Sequence, residues 1–197
     1  MMKDLSARVR AEFARAMRNF RYERTSSGVY FPSARVAIGG TFGHRMDDGP
    51  WIYDHNTAVY EGLDFILSAI FSSGGLPATL SLAPFSNNTA PSPSLTAATF
   101  AAQQGEYTLY TQTTRQAWIT NGASSGQQVS NSNSVATFTI GSAAATITGA
   151  GFIANATGKG ATTGTLFAAS LFSNSNQLSA GSTFQLIYSY GAQPLSS

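Results

Sequence analysis

Apolar residues near the N-terminus recur at three- and four-residue spacing, which is the period of an amphipathic helix. They are Leu5, Val9, Phe13, Met17 and Phe20. The pattern predicts a helix over residues 3–20, with Asp4 or Ser6 as its N-cap. Because an isolated helix of this length is only marginally stable in water, its narrow apolar stripe needs a partner. That partner is either the chain's own sheet or another chain, and in the second case residues 1–24 form a docking arm.

A broader apolar face predicts a second helix over residues 57–71, with Asn56 as its N-cap. The residues of this face are Val59, Leu63, Ile66, Leu67 and Ile70. Gly62 weakens a helix by about 1 kcal/mol relative to alanine, so we expect close packing at that point. The run Ser72–Gly75 ends the helix. We expect the helix to pack on a sheet as part of the core.

Elsewhere the apolar positions follow period two, the period of a β-strand. Residues 25–56 predict short strands and turns. After Pro77 the candidate strands are Thr79–Phe85, Tyr107–Thr113, Gln116–Thr120, Val135–Ile140, Ala144–Thr148, Thr165–Leu171 and Thr183–Tyr190. Such strands, separated by Gly-, Asn- and Ser-rich turns, indicate a mainly β protein with an antiparallel β-sandwich or jelly-roll-like domain. The predicted organisation is a helical arm (1–24), short strands plus one packed helix (25–76), and an antiparallel β domain (77–197).

Charge is concentrated in the first third of the chain. Residues 1–64 hold nine cations and eight acids, whereas residues 65–197 hold only Glu106, Arg115 and Lys159. A surface wetted by uncharged polar groups suits close packing against neighbours, because little charge has to be desolvated. The plainer alternative is a polar β surface that faces solvent. We favour assembly, and we predict that Arg8 and Arg15 lie with the apolar stripe at the interface of the arm.

Several classes of protein are excluded or disfavoured by composition. The absence of cysteine excludes disulfides, thiolate metal sites and cysteine nucleophiles. No segment has the roughly 20 apolar residues of a membrane-spanning helix, so we expect no membrane partner. A net charge of +2 does not indicate nucleic-acid binding. Arginines of the arm could touch phosphates, but the interleaved Glu12 and Glu23 favour a protein partner.

The candidate acid–base or metal cluster consists of His44, Asp47, Asp48, Asp54 and His55. Two histidines and an aspartate can hold zinc or iron, but this spacing matches no short metal motif. The run Asp48-Gly49-Pro50 is typical of a turn. We therefore expect hydrogen-bonded structural histidines, no metal or cofactor, and no enzymatic activity. A metal-dependent enzyme remains the third hypothesis for function.

Two glycine motifs have a structural explanation that we prefer to a functional one. Residues 149–154 fit the G-x-G-x-x-A pattern of dinucleotide binding, but no helix signal follows and no acid comes after Glu106 to hold a ribose. We expect a β-bulge or tight strand packing there. Gly158-Lys159-Gly160 lacks the spacing of a phosphate-binding loop. A G-x-S-x-G nucleophile elbow does not occur.

One stretch resembles a pattern found in small tailed-bacteriophage virion proteins. Residues 54–67 read D-H-N-T-A-V-Y-E-G-L-D-F-I-L, similar to an N-x-x-V-x-x-G-L-x-x-I-L helix that precedes a Ser/Thr/Asn-rich β domain. Residues 164–173 and 181–190 are similar to the "G-D-T-L plus strand" ending of many phage sequences, with Ser182 where an aspartate is frequent. The resemblance implies a particle component without catalytic residues.

The leading hypothesis is therefore a bacteriophage virion structural protein, either capsid cement or decoration or a neck component. Its partners would be copies of itself and the coat, portal or neck proteins, in a virion assembled in the host cytoplasm. The alternative is a tail or neck fibre or adhesin that binds a host surface glycan. Exposure of Trp118 and Tyr110 on a loop end would favour glycan binding, and their burial would favour the structural role.

Overall fold

A computed structural model of the chain describes residues 23–24, 30–31, 35–72, 74–120 and 126–195. The predicted arm helix, with Leu5, Arg8, Val9, Phe13, Arg15, Met17 and Phe20, lies outside the described residues. The chain divides into two compact units, one of residues 1–37 and 193–197 and the other Ile38–Ala192. In the first unit, β1 (Glu23–Arg24) pairs antiparallel with β2 (Tyr30–Phe31).

The unit Ile38–Ala192 is built on two five-stranded sheets. The first sheet has the order β5 (Thr57–Ala58), β11 (Thr165–Leu178), β10 (Ala145–Ala154), β6 (Leu80–Phe85), β7 (Gln116–Ala117). The second has the order β4 (Ile52–His55), β3 (Arg35–Met46), β12 (Thr183–Leu195), β8 (Gln128–Ser130), and β9 (Ala136–Thr139) also pairs with β12. Neighbouring strands pair antiparallel in both sheets. The predicted mainly β, sandwich-like architecture is confirmed.

The main core lies between the two sheets and is rich in aromatic rings. Phe152 of β10 packs 4.7 Å, centroid to centroid, from Tyr188 of β12, and 4.9 Å from Trp118. Tyr188 in turn packs 4.4 Å from Phe42 of β3. Such offset and edge-to-face pairs bury large apolar areas at favourable ring geometry. The apolar members of the period-two pattern thus supply the inner faces of the sandwich.

Two helices pack on the first sheet, α1 (Tyr60–Phe71) and α2 (Ala97–Gln104). Phe100 of α2 lies 6.0 Å from the ring of Phe85, in a second buried cluster on the sheet face that points away from the main core. Strand β10 is therefore covered on both faces, and all but one of its residues are buried. The sequence analysis did not predict α2, whose alanine-rich stretch has only a weak apolar stripe.

Helix α1 begins three residues later than expected. Val59, not Asn56, is its N-cap residue. The side-chain oxygen of Asn56 accepts a hydrogen bond from the backbone N–H of Gly40 on the neighbouring strand. The Asn56 side chain is therefore used in a contact with β3 and does not cap the helix.

One predicted strand is missing, and two strands run through residues whose composition favours a turn. Strand β11 continues through the Ser- and Asn-rich residues 173–176, and β3 continues through Gly39-Gly40. The β10–β11 register shifts between Ile147 and Gly149, so the extra polar residues of β11 form an irregularity within the strand. Residues 107–113 form no regular strand and are held by an isolated bridge at Tyr110.

Candidate functional site

His44 and Asp54 of the predicted acid–base cluster meet in the interior, where they connect the two sheets. The His44 Nε2 atom lies 3.0 Å from Asp54 Oδ2, and its Nδ1 atom lies 3.1 Å from Asn176 Nδ2. The imidazole stacks on Phe172 at 4.0 Å. Burial lowers the pKa of His44 from its usual 6.5, although the Asp54 carboxylate opposes that shift. The contacts describe a structural hydrogen-bonded histidine.

The other members of that cluster serve separate contacts. Asp47 accepts hydrogen bonds from the backbone N–H of Thr183, at 2.7 Å, and from its hydroxyl. The His55 ring nitrogen Nδ1 lies 3.5 Å from the Thr41 hydroxyl. Asp48 is exposed in the turn after β3. Across the described residues, no group of three or more His, Cys, Asp or Glu side chains is placed to hold a metal ion.

The few charges of the β domain are held by other groups of the protein. Arg115 is buried and donates two hydrogen bonds to Glu106, at 2.8 and 2.6 Å, and others to the carbonyls of Ala156 and Ala161. Lys159 donates to two backbone carbonyls and lies 4.0 Å from the centre of the Tyr110 ring. The Gly-Lys-Gly motif therefore directs its amine into the domain.

The glycine pattern at 149–154 serves strand packing, as expected. A Cβ atom at Gly149 would lie 2.1 Å from the Phe85 ring, and one at Gly151 would lie 2.7 Å from the Phe100 ring. Within 149–154 the register with β11 also shifts, by one residue, between Phe152 and Ile153. No helix follows, because β10 ends at Ala154 and Asn155 has a positive φ of 57°.

Trp118 and Tyr110 are core residues. The Trp118 indole N–H donates to the Tyr188 carbonyl at 2.8 Å, and Tyr110 packs edge-to-face on Phe138 at 5.0 Å. Burial raises the pKa of Tyr110 well above its usual 10, with the nearby Glu106 adding to the shift. Neither aromatic ring is presented on an exposed loop end for stacking on a sugar.

Helix α1 and the segment after it expose several large apolar side chains. Leu67, Ile70, Phe71 and Leu76 are 56%, 64%, 79% and 86% exposed, and we call these four residues the α1 patch. Adjacent exposed apolar side chains of this size mark interaction surfaces in soluble proteins. Part of the face that was expected to belong to the core is therefore on the surface.

At Gly62 the backbone of α1 approaches the backbone of β11 closely, and this contact holds the helix although the α1 patch is exposed. A Cβ at Gly62 would lie 2.5 Å from the Phe167 Cα, so the helix backbone rests directly on β11. The Glu61 carboxylate holds the N-terminal end of α1 as well. Its Oε2 atom accepts hydrogen bonds from the backbone N–H groups of Ala97 and Leu166, both at 2.8 Å. The first turn of α1 thus anchors the helix, and the last two turns carry the patch.

An open apolar pocket of about 250 Å³ adjoins the α1 patch. Its walls come from α1, the following segment and both sheets, and they are Phe65, Ile66, Ala69, Ile70, Leu76, Pro77, Leu80, Trp118, Val129, Phe152, Phe167 and Tyr190. Burial raises the pKa of Tyr190 to about 12, consistent with the low polarity of these walls. The pocket and the α1 patch together form a surface that can bind an apolar segment.

The charged residues of α1, Glu61 and Asp64, are both acidic. Asp64 is exposed on the same stripe of α1 as Leu67 and Phe71, three and seven residues further on. The sequence has no lysine or arginine between Arg45 and Arg115, and that interval contains all the residues of α1. An apolar segment with basic flanks is therefore the chemistry that matches this surface.

The sequence contained a signal for this surface that periodicity alone did not separate from a core helix. The apolar face of the predicted helix was broad and ran from Val59 to Ile70. In the structure Gly62 contacts β11, and Phe65 and Ile66 pack against the core, so only part of that face is covered. Leu67 and Ile70 are the residues of that face that reach the surface.

Within the described residues, neither helix has the length and apolar content needed to cross a membrane. Comparison of the chain with models of known protein families, with curated proteins and with solved structures finds no match. Function is therefore inferred from the residues and their geometry.

Proposed function

We propose that this chain is a structural protein of a tailed-bacteriophage virion, acting as capsid cement or decoration or as a neck component. Its work is the burial of surface against copies of itself and against coat, portal or neck proteins, without catalysis and without a cofactor. The observation that carries the proposal is the α1 patch beside an open apolar pocket, on a domain with very little charge. The sequence resemblance to virion proteins points the same way.

The physical basis is the low cost of covering such a surface. The charges of residues 65–197 are Glu106, Arg115 and Lys159, and each already has partners within the protein. Docking a neighbour therefore desolvates little charge, while apolar area contributes roughly 25 cal/mol per Å² removed from water. A stable contact of about 800 Å² per partner is repeated many times around a symmetric particle, and the repetition strengthens attachment.

The burial of Trp118 and Tyr110 favours this proposal over a glycan-binding fibre or adhesin. Trp118 and Tyr110 are buried in the core, whereas sugar stacking needs accessible rings. The His44–Asp54 pair likewise gives no support to a metal-dependent enzyme, because Asn176 and Phe172 enclose the imidazole.

Particle membership is tested on virions purified from the phage that encodes this chain. Quantitative mass spectrometry is expected to find the protein in particles at a fixed multiple of the portal or coat protein. Its absence from particles, with all of it in the soluble fraction of the lysate, would overturn the proposal. The glycan alternative is tested in parallel by an array of host surface sugars, on which the structural role predicts no binding.

Deletion of residues 1–20 tests the part of the proposal that concerns the arm. We expect the shortened protein to be lost from particles while its far-ultraviolet circular dichroism still shows a folded β domain. The core residues in the part of the chain that the structure describes lie between Phe42 and Tyr188, so the deletion removes none of these. Normal occupancy of the shortened protein on particles would contradict a docking role for the arm.

A further inference from the structure

We infer that the α1 patch and its pocket form the docking site for the N-terminal arm, residues 3–20, of a second copy of this chain. The inference rests on the proposed function in that it requires several copies to meet. It goes further by naming both sides of the contact. The acceptor is described in the structure, and the donor is identified by its sequence pattern.

The apolar pattern of the arm matches the dimensions of the acceptor. From Leu5 to Phe20 the stripe covers sixteen residues, which as a helix span about 24 Å at 1.5 Å per residue. Helix α1 has 12 residues and spans about 18 Å, and Leu76 extends the apolar surface beyond its end. The stripe can therefore cover the whole α1 patch in a helix-in-groove arrangement, with an aromatic side chain such as Phe13 in the pocket.

The charges of donor and acceptor are complementary. Residues 1–24 contain seven cations and three acids, and the flanks of the stripe include Arg8 and Arg15. The acceptor places Asp64 among its exposed apolar side chains, in an interval of sequence that holds acids and no cation. Opposite charges around an apolar centre set the orientation of docking and raise the association rate.

A second copy, rather than an unrelated protein, satisfies both surfaces at once. Each copy carries one amphipathic stripe in its sequence, at residues 3–20, and one exposed apolar patch on α1. A head-to-tail contact uses the arm of one copy and the patch of the next, and its repetition generates a closed ring or an extended array. That geometry suits a component used in several copies.

The contact is tested by photo-crosslinking of the full-length chain in solution. A photoreactive phenylalanine derivative at position 13 is expected to yield an adduct of twice the chain mass, with the crosslink mapped to residues 65–77. An adduct of single-chain mass to the same residues would show docking within one chain and overturn the second-copy assignment. Adducts that map elsewhere, or no adduct, would overturn the docking site itself.

Two matched substitutions separate the patch from general surface hydrophobicity. Ile70 and Leu109 are both 64% exposed, but only Ile70 belongs to the patch. In the photoreactive chain, Ile70→Gln is expected to lower the yield of double-mass adduct about fivefold or more, and Leu109→Gln to leave it unchanged. Equal yields in the two variants would contradict the assignment. Circular dichroism of both variants checks that the fold is retained.

A charge substitution tests the orientation of the arm. Asp64→Lys places a cation among the basic residues of the incoming arm, and we expect a loss of adduct that is relieved at high salt. An unchanged yield would contradict the role of charge in docking. All of these measurements use purified protein without particles, so their failure would leave the particle-membership test untouched.

Discussion

Helices α1 and α2 pack on the same sheet and differ in what they do with their apolar residues. In α2, Phe100 is fully buried together with Ala97 and Gln104, and Ala98, Ala102 and Gln103 face solvent. In α1, Gly62 is the buried residue, and Phe71 near the end is 79% exposed. One helix therefore closes the core of the domain, and the other leaves apolar side chains exposed on the surface.

The ends of the two helices show the same difference. Helix α2 begins with a capping box between Thr96 and Thr99 and ends at Gly105, whose left-handed φ of 63° suits a glycine C-cap. Helix α1 begins at Val59, which has no polar side-chain atom with which to cap it. Because α2 satisfies its own ends, it is stable as part of the fold. Helix α1 instead depends on Glu61 and on the backbone contact at Gly62.

The largest expected difference in the free energy of unfolding is between a phenylalanine-to-alanine substitution in α2 and one in α1. Phe100→Ala is expected to lower the free energy of unfolding by about 3–5 kcal/mol, since it empties a fully buried site. Phe71→Ala is expected to change it by no more than about 0.5 kcal/mol in the dilute, isolated chain. Urea denaturation of both variants measures the difference. Similar losses in the two would show that α1 is also a core helix.

A comparable loss in the free energy of unfolding is expected from breaking the buried ion pair of Arg115 and Glu106. Arg115→Leu leaves Glu106 buried without its cation and should cost about 3–5 kcal/mol. The double variant Glu106→Leu/Arg115→Leu should recover part of that loss, because no uncompensated charge then remains. The four denaturation curves of this cycle give the coupling. If the double variant were as unstable as the sum of the single ones, the pair would not act as a unit.

A smaller effect should follow from the residue that ties the two helices together. Glu61→Gln replaces the charged acceptor of the Ala97 and Leu166 N–H groups with a neutral one, and the expected cost is about 1–3 kcal/mol. Asp64→Asn, one turn along and exposed, is the matched control and should change the free energy of unfolding very little. Thermal unfolding of both variants measures this. Equal shifts would contradict the anchoring role of Glu61.

The smallest effect should be a pH dependence from His44. Burial lowers its pKa in the folded state below the unfolded value of 6.5, so the unfolded chain binds the proton more readily. The contribution of the neutral imidazole is fully present above pH 6.5 and is lost as pH falls below that value. The urea midpoint is therefore expected to fall between about pH 7.5 and pH 5.5, and to fall less in His44→Gln. The same decline in both proteins would assign the effect to other groups.

Much of the β architecture could be predicted from the sequence, because alternation reports which face of a strand is buried. The strands Leu80–Phe85 and Ala136–Thr139 lie within one residue of their predicted bounds. At the N-terminal end of α1 and in β11, where prediction failed, a distant contact had replaced a local preference. The polar residues of β11 after Phe172 look like a turn, but Asn176 is fixed by His44 and Ser173 by Asp54.

The acid–base cluster also shows that closeness in sequence does not decide which side chains are in contact. Five residues were grouped because they are close in the chain. The pairing of β3 with β4 makes His44 and Asp54 diagonal neighbours, two positions apart in the register, whereas His55 and Asp47 contact other residues. Asn176, which completes the contact, is 132 residues from His44 and carries no motif. The sequence held no local signal that could have paired them.

The sequence by itself determined the mainly β class, the absence of thiol chemistry, the uneven distribution of charge and the amphipathic pattern of the arm. These depend on composition and on short-range periodicity, which are properties of neighbouring residues. Only the tertiary structure decided that Trp118 is buried, that Glu61 joins two helices to a strand, and that α1 exposes its broad face. Burial depends on which elements cover one another, and that is set by contacts between residues far apart in the chain.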